Sequence, residues 1–172
     1  MRNFLGVGGR RDSVPGMHTD SHATDAQGMP DPHDPDHAAT VLGRSRTIAV
    51  VGFSANQDKP SHTAPMELVR RGFDVIPVNP FADEVAGIPT VATLADIARP
   101  VDLVDVFRPA ADAPDVARQA AAIGARAVWL QLGIRSDEAR AIAAEHGMDF
   151  VEDQCVKPIS KRFDLHPPDA TG

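Results

Sequence analysis

From residue 46 onward the chain alternates short apolar runs with stretches whose apolar residues recur at helical spacing. RTIAVVGF (46–53), mostly β-branched and closed by glycine, predicts a buried strand. The polar loop SANQDKPS leads to a helix at about 61–72, where Pro65 is tolerable only in the first turn and Gly72 supplies the stop. FDVIPVNP (73–80) predicts a second strand, ended by Pro80. IPTVATLADIA (88–98) reads as a short extended piece followed by a helix capped by Thr93. VDLVDVF (101–107) is the third strand, and a helix at about 110–123 ends at Gly124. ARAVWLQLG (125–133) is the fourth strand. Ser136 caps the next helix, with Asp137 and Glu138 favourably placed against its dipole. MDFVED (148–153) is the fifth strand.

Strands alternating with helices predict an α/β fold: a single Rossmann-like domain with a doubly wound, parallel, five-stranded sheet. Right-handed crossovers suggest the order 3-2-1-4-5. The ligand crevice of such a sheet lies at the strand carboxyl ends, here beside the switch between the first and fourth strands. The residues just after each strand become the candidates: Gly52, Phe53 and Ser54; Asn79 and Pro80; Phe107 and Arg108; Gln131, Leu132 and Gly133.

Residues 1–40 lack either period. They hold four of the fifteen prolines and four of the seven histidines. The expectation is a disordered tail over 1–40, a folded domain over 41–163 and a flexible end over 164–172. Arg10-Arg11 does not open an export signal, because the polar DSVPGMHTD follows it. His18 and His22, and His33 and His37, are spaced to share a metal on a helix, but the prolines around the second pair favour a solvated tail.

Composition narrows the function. A net charge of −7 and few aromatics argue against a nucleic-acid binder. No apolar run is long enough to span a membrane. A single cysteine forms no internal disulfide, which suits a cytoplasmic protein.

The first strand ends in Gly-Phe-Ser, without the later glycines of the dinucleotide fingerprint. Asn79-Pro80 stands where NAD enzymes place a ribose-binding acid, and Asp83 and Glu84 lie beyond it, facing solvent. No P-loop is present either. Lys59 and Ser61, ahead of a helix, could meet a phosphate; a solvated lysine and an N-cap serine explain them as well. Arg108 could reach a phosphate bidentately or pair with Asp105 or Asp112.

VVGFSANQDKPSHTAPMELVRRGFDVIPVNP, then DLVDVFRP, AVWLQLGI and DQC resemble the small bacterial stand-alone CoA-binding proteins. Their fold is similar to the CoA-binding domain of the succinyl-CoA synthetase alpha subunit, and the likeness covers roughly 44–163. The resemblance implies that coenzyme A or an acyl-CoA lies across the strand ends. Gly52, Phe53, Ser54, Lys59, Pro60 and Ser61 would then lie near the phosphates and Asn79 and Pro80 near the adenosine, with Val106, Phe107 and Arg108 at the third strand end. Gln131, Leu132 and Gly133 would line the pantetheine path. The synthetase domains carry a lysine shortly after the second-strand proline; this chain has Phe81-Ala82-Asp83-Glu84, so a basic anchor must come from Lys59 or Arg108.

Catalysis needs a nucleophile or base with a positioned partner. His62 reads as a helix-start surface residue that could instead face the ligand, and His146 as a helix-end residue. Cys155 lies among Lys157, Lys161 and Arg162, which could activate the thiol, although an inert cysteine is the better reading. The synthetases' phosphohistidine lies in a following domain, for which this chain has no room. The expectation is a non-catalytic binder of a small nucleotide ligand. The alternatives are an NAD(P)-dependent or thiol-redox enzyme using Cys155, and a regulatory interaction module.

Overall fold

The computed structural model describes residues 24–170. The arginine pair and the first histidine pair lie outside them. The elements in chain order are α1 (Pro35–Gly43), β1 (Thr47–Val51), α2 (Pro60–Arg70), β2 (Asp74–Val78), β3 (Glu84–Val85), β4 (Ile88–Pro89), β5 (Leu103–Val106), α3 (Ala113–Ala122), β6 (Ala127–Leu130), α4 (Asp137–Glu145), β7 (Asp149–Val151) and α5 (Val156–Arg162). The main sheet is parallel, in the order β2-β1-β5-β6-β7. The fold class is the expected Rossmann-like α/β arrangement.

Both faces of the sheet are covered, which is why its strands read as near-continuous apolar runs. Ile48, Val50, Leu103 and Trp129 pack with α1, α2 and α5. Ala49, Val104, Val128 and Phe150 pack with α3 and α4 on the other face. Trp129 donates its indole N–H to Gln154 O at 2.7 Å, fixing the approach to α5.

The strand order corrects the sequence reading. In terms of the five anticipated strands it is 2-1-3-4-5, so β2 is an edge and β5 sits beside β1. The physical cause lies between residues 79 and 101, where a two-residue hairpin (β3 and β4) and one 3-10 turn, Leu94–Asp96, replace the anticipated helix. Thr93 still caps that turn reciprocally with Asp96. The segment folds back along the outside of β2: Val91 N–H donates to Pro77 O and Val91 O accepts from Asn79 N–H. With that edge taken, the third strand pairs with β1's free side.

The anticipated tail boundary is also corrected. Residues 30–43 pack as part of the domain, with Asp34 capping α1 and Ala38, Val41 and Leu42 in the core. Pro32 O accepts from Glu152 N–H at 3.2 Å, and His37 Nε2–H donates to Phe150 O at 3.2 Å, so this segment covers the β7 edge. His33 faces Glu152 at 3.4 Å, outside the helix, and the second histidine pair therefore does not share a face. Among the described residues no cluster of His, Cys, Asp or Glu is arranged to hold a metal. The segment after 163 docks as well: Leu165 packs on the core, and Arg71 donates to its carbonyl at 3.3 Å. No helix of the described residues is long and apolar enough to cross a membrane.

Candidate functional site

Register brings the strand ends to one level. Val51 lies opposite Val78 and Val106, and Val106 opposite Leu130. Gly52, Asn79, Phe107 and Gln131 therefore follow side by side. Gly52 has φ +86°, and a Cβ there would stand 3.3 Å from Arg108 Cδ and 3.5 Å from Phe107 backbone, so glycine lets the first and third strand ends approach.

The loop after β1 is built by its own short polar side chains. Ser54 Oγ accepts from Asn56 N–H at 3.1 Å, and Asn56 Oδ1 accepts from Asp58 N–H at 3.0 Å. Lys59, not Ser61, is the N-cap of α2, and Ser61 lies inside the first turn. Pro65 falls beyond that turn, contrary to expectation. It lacks the N–H that would bond Ser61 O, and Ser61 O accepts from Ser54 N–H at 3.1 Å instead. His62 is buried rather than at the surface: its Nδ1–H donates to Ser54 O at 2.7 Å and its ring meets Phe53 edge-on. Both backbone groups of Ser54 are thus tied to the start of α2. His62 is a positioning residue.

A cavity of about 810 Å³ opens over these ends. Gly52, Phe53, Ser54, Lys59, Ser61, Asn79, Pro80, Phe107 and Arg108 all line it. It lies at the switch between β1 and β5, where the chain leaves in opposite directions. Since Lys59 and Ser61 line it, the positive end of the α2 dipole faces the space. Arg108 pairs with Asp112 at 3.2 Å, both side chains about half exposed, while Asp105 is occupied elsewhere.

Five anticipated site residues fall outside the lining. Val106 is buried in the sheet, and Pro60 is exposed on the outer side of α2's first turn. Gln131, Leu132 and Gly133 miss it because β5 intervenes between β1 and β6, one strand more than the expected order allowed. Gln131 is buried and donates Nε2–H to Asp105 Oδ1 at 2.6 Å. Gly133 donates its amide to Asp153 Oδ1 at 2.7 Å; that amide and the Arg135 guanidinium hold the Asp153 carboxyl below its ordinary range. Leu132 is exposed.

The lining also includes residues that sequence reasoning missed. Phe81 follows directly on Pro80; Ala92, Thr93 and Leu94 come from the segment beside β2; Asp112, Asp115 and Val116 come from the start of α3 and Gln119 from its second turn. The common signal for most of them is position just beyond a strand end or at a helix start on the strands' carboxyl side.

Two further titratable groups, one buried and one half-buried, lie outside the cavity lining. Asp105, fully buried in the LVDV run of β5, has its carboxyl pushed up to about 7 by burial. Neither its Oδ2 nor Gln131 Oε1 has a hydrogen-bond partner among the described residues. Burial also pushes the Cys155 thiol up, with the nearby Asp105 charge acting in the same direction against the Lys157 contribution. The inert reading of the cysteine is thus favoured over activation by its cationic neighbours.

Residues 46–160 match the sequence profile of the CoA binding domain. The chain belongs to the CoA-binding domain family. It is 38% identical over 117 residues to the uncharacterized protein YneT of Bacillus subtilis, covering 68% of this chain and 87% of that one. The solved structure of cell-free ID.343 from Thermus thermophilus is 36% identical, with a TM-score of 0.70, over 76% of this chain and 98% of that one. A dinucleotide-forming acetyl-coenzyme A synthetase 1 from Ca. Korarchaeum cryptofilum shares 26% identity and a TM-score of 0.55. There the likeness covers 62% of this chain and 26% of the synthetase. This CoA-binding domain is thus similar both to small stand-alone proteins and to a portion of a large ligase.

Proposed function

We propose that this protein holds coenzyme A or an acyl-CoA, without transforming it, in the cavity at the carboxyl ends of β2, β1 and β5. The observation that carries the reading is the meeting, in a cavity of about 810 Å³, of the α2 N-terminus with Lys59 and Arg108 in a CoA-binding domain. A pocket of this size suits a ligand larger than a simple metabolite.

The diphosphate sits against the α2 N-terminus, with Lys59 as the compact cation and the Ser54 and Ser61 hydroxyls as donors. Ser54 Oγ already accepts from Asn56 N–H, which leaves its O–H to donate outward. Asn79 and Pro80 face the adenosine. Arg108, held by an exposed partner, exchanges Asp112 for a ligand phosphate at small cost. The thiol arm leaves past Phe107 towards the β6 end. An unpaired, half-buried cysteine suits a cytoplasmic setting.

Calorimetry with CoA, acetyl-CoA and NAD tests the reading. CoA and acetyl-CoA saturate the site and NAD gives no heat, and mass spectrometry recovers the acetyl-CoA intact. Lys59→Ala and Arg108→Ala each weaken CoA about tenfold or more, the size of a lost charge-assisted hydrogen bond. Saturation by NAD with no response to CoA would refute the proposal.

A further inference from the structure

Among the described residues only two large apolar side chains are exposed, Phe81 at 90% and Leu132 at 71%, and of these only Phe81 lines the cavity. Leaving a phenyl ring in water forgoes a substantial hydrophobic gain. The backbone that carries the ring is nevertheless held in place. Phe81 N–H donates to Asn79 Oδ1 at 2.9 Å, and Asn79 Nδ2 donates to Phe53 O at 3.2 Å across to the end of β1. Pro80 fixes the backbone just before it, and the Thr90 hydroxyl donates to Ala82 O just after it. This hydrogen-bonded frame holds an apolar ring at the cavity mouth, where no core receives it.

We propose that Phe81 is a stacking platform for the purine base of the bound nucleotide. The inference rests on the CoA reading above and names the residue that grips its base. An aromatic face recognises a planar base without directional bonds. The ring stands at the β2 end of the cavity, while Lys59 and Ser61 stand at the α2 N-terminus. A ligand whose phosphates lie at that helix start then directs its base to Phe81 and its other end past Phe107.

The experiment compares wild type, Phe81→Ala and Phe81→Trp against three probes: CoA, adenosine 3′,5′-bisphosphate and 4′-phosphopantetheine. Because the ring is exposed, neither variant disturbs the core. Stacking contributes about 1–3 kcal/mol per base, so Phe81→Ala weakens CoA and the bisphosphate roughly 5- to 150-fold. It leaves 4′-phosphopantetheine unchanged, and Phe81→Trp restores binding, its added fluorescence quenched by the base. Equal CoA affinity in wild type and Phe81→Ala overturns the inference while leaving the CoA reading intact. So does a matching loss for 4′-phosphopantetheine, which would put the pantetheine arm against the ring. A wild type that ignores CoA but binds the bisphosphate, and loses it in Phe81→Ala, overturns the CoA reading and keeps the platform.

Discussion

At the scale of single residues, Asp105 places a fully buried acid in the middle strand of the sheet. A carboxyl in the middle of a strand buried on both faces keeps its proton until pH approaches about 7. In the unfolded chain it ionises near 3.8. The folded state therefore binds the proton more tightly, and this group's contribution to stability is complete below about pH 4. It is lost progressively up to about 7 and flat beyond. The full difference is on the order of 4 kcal/mol. Asp105→Asn keeps an oxygen to accept from Gln131 and has no charge to bury. Urea denaturation should find it close to wild type at pH 4 and more stable by a few kcal/mol at pH 8. A difference from wild type that does not change between pH 4 and pH 8 would show that folding leaves the Asp105 carboxyl's proton affinity where it is in the unfolded chain. The residue was legible as an acid inside the apolar stretch Leu103–Val106 of VDLVDVF. Its partner Gln131 was not, because the pair is made by the neighbouring strand's register.

At the scale of elements, the turn and cap chemistry read from the sequence held where it was local. Ser136 accepts from Ala139 N–H at 3.1 Å, as its position before α4 indicates. Failures came where one element meets another. Pro77 lies in β2 with its carbonyl pointing outward to Val91, and the N–H it lacks would point the same way. A proline there marks an edge strand, which would have placed β2 at the border and the third strand beside β1. The opposite border, β7, is partly covered by Pro32 and His37, as β2 is by Val91, so both outer strands carry capped backbone groups. The closing segment looked like a tail because its prolines break every period, yet α1 carries Leu42, fully buried against the core. Leu42→Ala should lower stability by about 2–5 kcal/mol, measured by chemical denaturation. An unchanged midpoint would mean that α1 is dispensable.

At the scale of the whole molecule, the parallel sheet and the carboxyl-end location of the site followed from alternation alone, whereas the membership of the site depended on strand order. Moving one strand past another took Gln131, Leu132 and Gly133 off the cavity and brought the α3 start onto it. The net charge of −7 makes any attraction for an anion local to Lys59, Arg108 and the α2 end. A ligand bound only by the native state stabilises by mass action. CoA at about a hundredfold its Kd should add about 2.7 kcal/mol and raise Tm by roughly 5–10 °C, with NAD giving no shift. A rise with NAD and none with CoA would reassign the cleft. Pro65 has a role in that encounter although it never touches the cleft. By leaving Ser61's carbonyl for Ser54, it ties the loop after β1 to the start of α2. A nucleotide held there as proposed would meet a surface already set, with little of its interaction energy spent on immobilising the chain around it.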